Sequence, residues 1–135
     1  MLQLILHGIG DYYFQTDWQA LNKKQKGWLG FYACLKHCIM YSLPFLFIGS
    51  WVAVSIIFIT HFIIDRTNLV AYLIAIKNNV RVIIKAEDGR VLSNKYDIKN
   101  FGLPIDRPFA ISIWLNIICD NLLHIICNYV ALLYF

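Results

Sequence analysis

Three of the four histidines in this chain stand four residues from an aspartate: His7/Asp11, His61/Asp65 and, in reversed order, Asp120/His124. The fourth, His37, follows a lysine in another apolar run. On a helix, positions i and i+4 share a face, so each pair can present an imidazole and a carboxylate to one point. Ionisable groups in apolar surroundings are costly unless they are paired or functional. Imidazole and carboxylate together suit a divalent metal, with zinc the first choice and manganese or iron the alternatives where carboxylates are several. The candidate ligands are therefore His7, Asp11, His37, His61, Asp65, Asp120 and His124. Asp11 or Asp65 would act as catalytic base if it is not itself a ligand. A single such pair is more often a structural hydrogen bond; three pairs and a further histidine favour a metal or polar centre.

The surroundings of these residues are hydrophobic. The chain has 135 residues, of which 59% are hydrophobic, with a mean hydropathy of +0.58. Typical soluble proteins are ~45–50% apolar. This composition points to one integral membrane domain, an all-α polytopic protein of about four helices. The expected helices cover about 2–21, 28–48, 51–66 and 109–134. Pro44 should kink the second, and the third is short for a span. Between the last two helices, β-branched runs flank Asp88-Gly89, which predicts a β-hairpin insertion at about 80–93. Loop residues follow, with Gly102, Pro104 and Pro108.

Lysine and arginine lie in alternate loops: Lys23, Lys24 and Lys26 in one, and Lys77, Arg81, Lys85, Arg90, Lys95, Lys99 and Arg107 in the other. With four spans, the positive-inside rule makes these loops and the hairpin cytoplasmic and both termini periplasmic, in a bacterial inner membrane. Lys23 and Lys24 read as charged anchors; the alternative is that one of them, or Arg66, holds an anionic phosphate. Gln15 could hydrogen-bond near the site, while packing is the expected role of Tyr41. Cys34, Cys38, Cys119 and Cys127 form no C-x-x-C pair and read as buried reduced thiols. No basic tract with interleaved aromatics is present, so nucleic acid is not an expected partner. Membrane lipid is, and an oligomer is open, although no GxxxG seam supports a specific dimer.

Three stretches are distinctive: His7-Gly-Ile-Gly-Asp11-Tyr-Tyr-Phe-Gln15, His37-Cys-Ile-Met-Tyr41-Ser-Leu-Pro44 and Thr60-His61-Phe-Ile-Ile-Asp65. They resemble a family of small, uncharacterised membrane proteins from phages and bacteria. The same pattern is similar to SOS-induced inner-membrane metal-dependent hydrolases and, more distantly, to zinc-dependent phospholipases C and related nucleases. The resemblance implies His7, Asp11, His37, His61 and Asp65 as ligands, with Asp120 and His124 transferring less directly because their order is reversed. It implies hydrolysis of a phosphate ester, and the membrane setting suggests a lipid-linked phosphate at the inner leaflet. The competing expectation is a non-enzymatic phage membrane effector, acting in superinfection exclusion or envelope interference, with a structural polar core.

Overall fold

The computed structural model describes residues 1–135, the side chain of Leu92 excepted. Six α-helices and one two-stranded sheet follow in the order α1 (Leu2–Gly8), α2 (Asp17–Asn22), α3 (Gly27–Ser42), α4 (Trp51–Arg66), α5 (Leu69–Lys77), β1 (Arg81–Lys85), β2 (Val91–Tyr96) and α6 (Phe109–Tyr134). A π-helical turn, Ile9–Tyr13, continues α1, and a 3-10 segment, Leu43–Phe47, continues α3. The chain divides into two compact units, residues 1–67 with 121–135, and residues 68–120.

This architecture corrects the expectation of a four-span polytopic bundle. Among the described residues one helix, α6, is long and apolar enough to cross a membrane; α4 and α5 would add a second only if counted together as a broken span. Local chemistry explains the shortfall. The first expected helix is interrupted because Thr16 leaves helical geometry (ψ 155°) to cap α2. Its hydroxyl accepts from the Gln19 backbone N–H at 3.3 Å, while Gln19 Oε1 accepts from the Thr16 N–H at 2.8 Å. This reciprocal capping box starts a new helix. The second helix tightens into the 3-10 segment at Pro44, whose ring cannot continue the α-helical ladder. Helices α3 and α4 have 16 residues each. At ~1.5 Å per residue that is about 24 Å, short of a ~30 Å hydrocarbon core.

The first unit buries Tyr41, Phe45, Val54, Ile57 and Ala131, with Leu6, Leu46, Ile48, Ile56 and Leu132 packed around them. This core joins α1, α3, α4 and the last turns of α6. Ser50 caps α4 by accepting from the Ala53 N–H at 3.1 Å, and its hydroxyl donates to the Phe135 carbonyl at 2.6 Å.

In the second unit, β1 and β2 pair antiparallel from Arg81↔Tyr96 to Lys85↔Val91, with an irregularity between Ile84 and Lys85. The turn sits where Asp88-Gly89 predicts it: Gly89 has φ +83° and the Ala86 N–H bonds the Arg90 carbonyl at 2.8 Å. The second strand runs further than the sequence pattern indicated, to Tyr96. Gly102, at φ +77°, lies against the backbone of α5, and a Cβ there would overlap the Ala71 carbonyl oxygen. Glycine is thus required twice over, by conformation and by space.

One stripe of α6 remains open. Ile111, Trp114, Ile118, Leu122, Ile126, Tyr129 and Leu133 recur at three- and four-residue spacing and are all exposed, whereas His124, Asn128 and Ala131 are buried. Such a stripe needs an apolar covering.

Candidate metal centre

The site lies wholly within the first unit. The π-helical turn carries Asp11, α3 carries His37, α4 carries His61 and Asp65, and α6 carries His124. In the π turn the Phe14 N–H reaches the Ile9 carbonyl at 2.9 Å, an i→i+5 bond. One extra residue per turn shifts the phase of the helix. His7 and Asp11 stay 3.5 Å apart, and Asp11 also reaches His37 and His61 while His7 reaches Tyr41 and Asn121.

At the centre, His37 Nε2, His61 Nε2 and Asp65 Oδ2 form a nearly equilateral triangle with edges of 3.0, 3.1 and 3.2 Å. A tetrahedral zinc ion with ligands at ~2.0–2.1 Å has ligand–ligand edges of about 3.3 Å. The triangle is thus one face of a zinc tetrahedron, slightly contracted, and the donor set fits a divalent ion. Two imidazoles and one carboxylate supply three of the four donors that zinc takes. Asp11 Oδ1 lies 3.2 Å from His37 Nε2 and 3.4 Å from His61 Nε2. It meets both rings as an acid beside two imidazoles. Asp11, His61 and His124 make a second group whose ligand atoms lie within 4.8 Å of one another. Both groups use His61, so they compete for one ring.

Burial and charge shape these groups. His37, His61, Asp65 and His124 are 0–1% exposed. Burial works against the Asp11 carboxylate, but its His37 hydrogen bond and the nearby His61 and His124 outweigh that, holding its pKa below the ordinary 3.8. Burial also works against a charged His37, yet its bonds to Asp11 and Asp65 prevail and raise its pKa above 6.5. The ligand rings are oriented by stacking: Tyr41 lies 3.6 Å from His61 and His124 lies 4.0 Å from it, centroid to centroid. Among the described residues, Nδ1 of His37 and of His61 has no hydrogen-bond partner, so packing takes over the orienting role usually held by a neighbouring carbonyl or carboxylate.

His7 sits at the border of the cluster. Its Nδ1 is 2.8 Å from the Tyr41 hydroxyl and its Nε2 is 2.9 Å from Asn121 Oδ1, with Asp11 Oδ2 at 3.5 Å from Nδ1. Asn128 Nδ2 donates to the Tyr41 oxygen at 2.6 Å. One proton arrangement satisfies this chain: Asn128 donates to Tyr41, Tyr41 to His7 Nδ1, and His7 Nε2–H to Asn121. With both ring nitrogens engaged, His7 supports the cluster from behind. Asp120 precedes His124 by one turn on α6 but belongs to the second unit, half-buried.

The sequence pattern assigned no site role to Asn121, Asn128 or Tyr41, and treated Lys23 chiefly as a charged anchor. Lys23 Nζ lies 2.9 Å from Asp65 Oδ2 and 2.8 Å from Gln15 Oε1. The lysine loop can fold back because Gly30, in the first turn of α3, has no Cβ to overlap the Gln25 carbonyl oxygen. Asn128 was accessible in principle, being four residues beyond His124 and so on the same face. Cys34 and Cys38 are buried, reduced and 3.8 Å apart at sulfur; Cys119 and Cys127 are also reduced.

Comparison with known proteins returns no curated protein and no solved structure that matches. A family model does match, over residues 1–93, and it spans α1 to the hairpin, including every site residue except those on α6. The chain belongs to DUF3307, a family described as proteins of unknown function.

Proposed function

We propose that this protein is a metal-dependent hydrolase of phosphate esters that works against a membrane. The observation that carries the reading is the His37–His61–Asp65 triangle, with Asp11 beside it. A divalent ion held there, zinc first and manganese or iron next, would acidify a water and offset negative charge on a phosphoryl group. His37, His61 and Asp65 would hold the ion. Asp11, adjacent to both imidazoles yet outside the triangle, would take the proton from the attacking water. Its low pKa keeps it ionised at neutral pH. Tyr41 and His124 would keep the His61 ring in place.

The exposed stripe of α6 supports membrane attachment through that helix, and a lipid-linked phosphate is the substrate this setting favours. We assign the setting to a bacterial inner membrane, with the basic hairpin unit on the cytoplasmic side. The test is hydrolysis of bis(p-nitrophenyl) phosphate, then of phospholipids in mixed micelles, by detergent-purified protein supplied with zinc or manganese. Activity that is lost on chelation and absent in His61→Ala supports the reading; none with either metal overturns it.

One observation favours the second reading, a non-enzymatic membrane effector with a structural core. Lys23 already neutralises Asp65, so the cluster can close without an ion. Well-folded protein that binds no metal would decide for it.

A further inference from the structure

One oxygen of the site is claimed twice. Asp65 Oδ2, the carboxylate corner of the ligand triangle, accepts from Lys23 Nζ at 2.9 Å. Lys23 is 16% exposed and is steadied from its other side by Gln15 Oε1 at 2.8 Å. An ion bound by His37, His61 and Asp65 would share that oxygen with an ammonium. Two cations so close, on a carboxylate that is 1% exposed, repel strongly. The conflict is relieved when an anion lies between them. Gln15 adds a donor for the same anion, since accepting through Oε1 leaves its amide N–H groups available to donate.

We propose that Lys23 and Gln15 form the substrate-anion pocket of this site and that its preferred ligand is a singly charged phosphodiester. The inference rests on the hydrolase reading and goes further by naming the ester class. Charge decides the class. A divalent ion and Lys23 bring three positive charges, and ionised Asp11 and Asp65 bring two negative ones, with the histidines neutral as ligands. The remaining single positive charge is cancelled by a diester monoanion and overcompensated by a monoester dianion. Lys23 is a positioning residue: it steers and holds a phosphoryl oxygen, while the ion and Asp11 face the reacting atoms.

The experiment measures binding rather than turnover. Full-length protein in detergent is loaded with zinc and titrated by calorimetry with diethyl phosphate and with inorganic phosphate. Diethyl phosphate should bind the parent protein more tightly than inorganic phosphate does. Lys23→Met should weaken diethyl phosphate at least tenfold while zinc binds as tightly as before or tighter, because Asp65 no longer shares its oxygen with an ammonium. A merely structural lysine would weaken zinc as well. Lys23→Arg, which keeps the charge, should retain most of the anion affinity and serves in place of Lys23→Met if that variant does not fold. Gln15→Leu should lose part of the anion affinity and leave zinc unchanged. Zinc-loaded parent that ignores diethyl phosphate, or Lys23→Met that binds it equally well, overturns the pocket while leaving the metal site standing. Tighter binding of inorganic phosphate overturns the choice of ester class. A parent protein that takes up no zinc overturns the metal reading and this inference with it.

Discussion

Asp65→Asn separates the two roles that converge on one side chain. The carboxylate is 1% exposed, meets Lys23 at 2.9 Å, His37 at 3.1 Å and His61 at 3.2 Å through Oδ2, and faces His124 at 3.7 Å through Oδ1. The amide keeps the shape and removes the charge. Breaking a buried ion pair from one side costs about 3–5 kcal/mol, because the surviving charge is stranded. Lys23 retains Gln15 and some access to water, so the low end, about 3 kcal/mol, applies. For a chain of this size that is a fall in Tm of about 10 °C, measurable by circular dichroism of metal-free protein in detergent. Adding Lys23→Met removes the stranded ammonium and should restore most of the loss. Zinc should behave differently. Disturbing only a ligand's hydrogen-bond partner costs ~10–100-fold in affinity, so removing the ligand should cost at least about 100-fold. The double variant, stable again, should remain unable to hold zinc. Parent-like zinc affinity in Asp65→Asn, or a double variant no more stable than the single, would refute the reasoning.

Further expectations follow from the same geometry. Tyr41→Phe deletes the hydroxyl between His7 and Asn128; it should lower stability by about 1–3 kcal/mol in a denaturant titration. The same change should alter zinc affinity far less than His61→Ala does. Gly102→Ala forces a Cβ onto the Ala71 carbonyl at φ +77°; amide exchange should accelerate across α5 while α3 and α4 stay protected, and uniform acceleration would count against two separate units. Metal-free protein should be most stable near pH 6.5: burial lowers the pKa of His61 to about 4, so the stability of its neutral form is lost as pH falls from 6.5 toward 4. The raised pKa of His37 contributes stability below 6.5 that is lost as pH rises through the folded value. The lowered pKa of Asp11 contributes stability above 3.8 that is lost only as pH falls through its folded value. Zinc reverses the trend at the upper edge, since its ligands must be deprotonated and binding tightens as pH rises. Thermal melts from pH 4 to 9, with and without zinc, check both signs; a metal-free melt that keeps rising above pH 7 contradicts them.

The centre was legible in the sequence where spacing and a regular helix coincide. His61 and Asp65, on the uninterrupted α4, meet as their i, i+4 spacing requires. His7 and Asp11 share the spacing and also meet, at 3.5 Å, but the two ring nitrogens of His7 engage Tyr41 and Asn121 and leave it outside the ligand triangle. Lys23 was hidden by its company: in a run with Lys24 and Lys26 a lysine looks solvated, and its return to Asp65 depends on a tertiary fold-back at Gly30 that no periodicity encodes. The hairpin was readable from Asp88-Gly89 because its turn chemistry is local. The count of spans was not, since hydrophobic composition cannot register a capping box at Thr16 or the change to 3-10 geometry at Pro44.

The central claim is that His37, His61 and Asp65 hold one divalent ion, and the most direct test is X-ray absorption at the zinc edge on purified protein after stoichiometric loading at neutral pH. The account predicts one bound zinc per chain, four-coordinate, with two imidazole nitrogens and the remaining donors oxygen at about 2.0–2.1 Å. In His61→Ala the signal should lose imidazole scattering or vanish. Folded protein that binds no stoichiometric zinc or manganese, or zinc held through the cysteine sulfurs at about 2.3 Å, would contradict it.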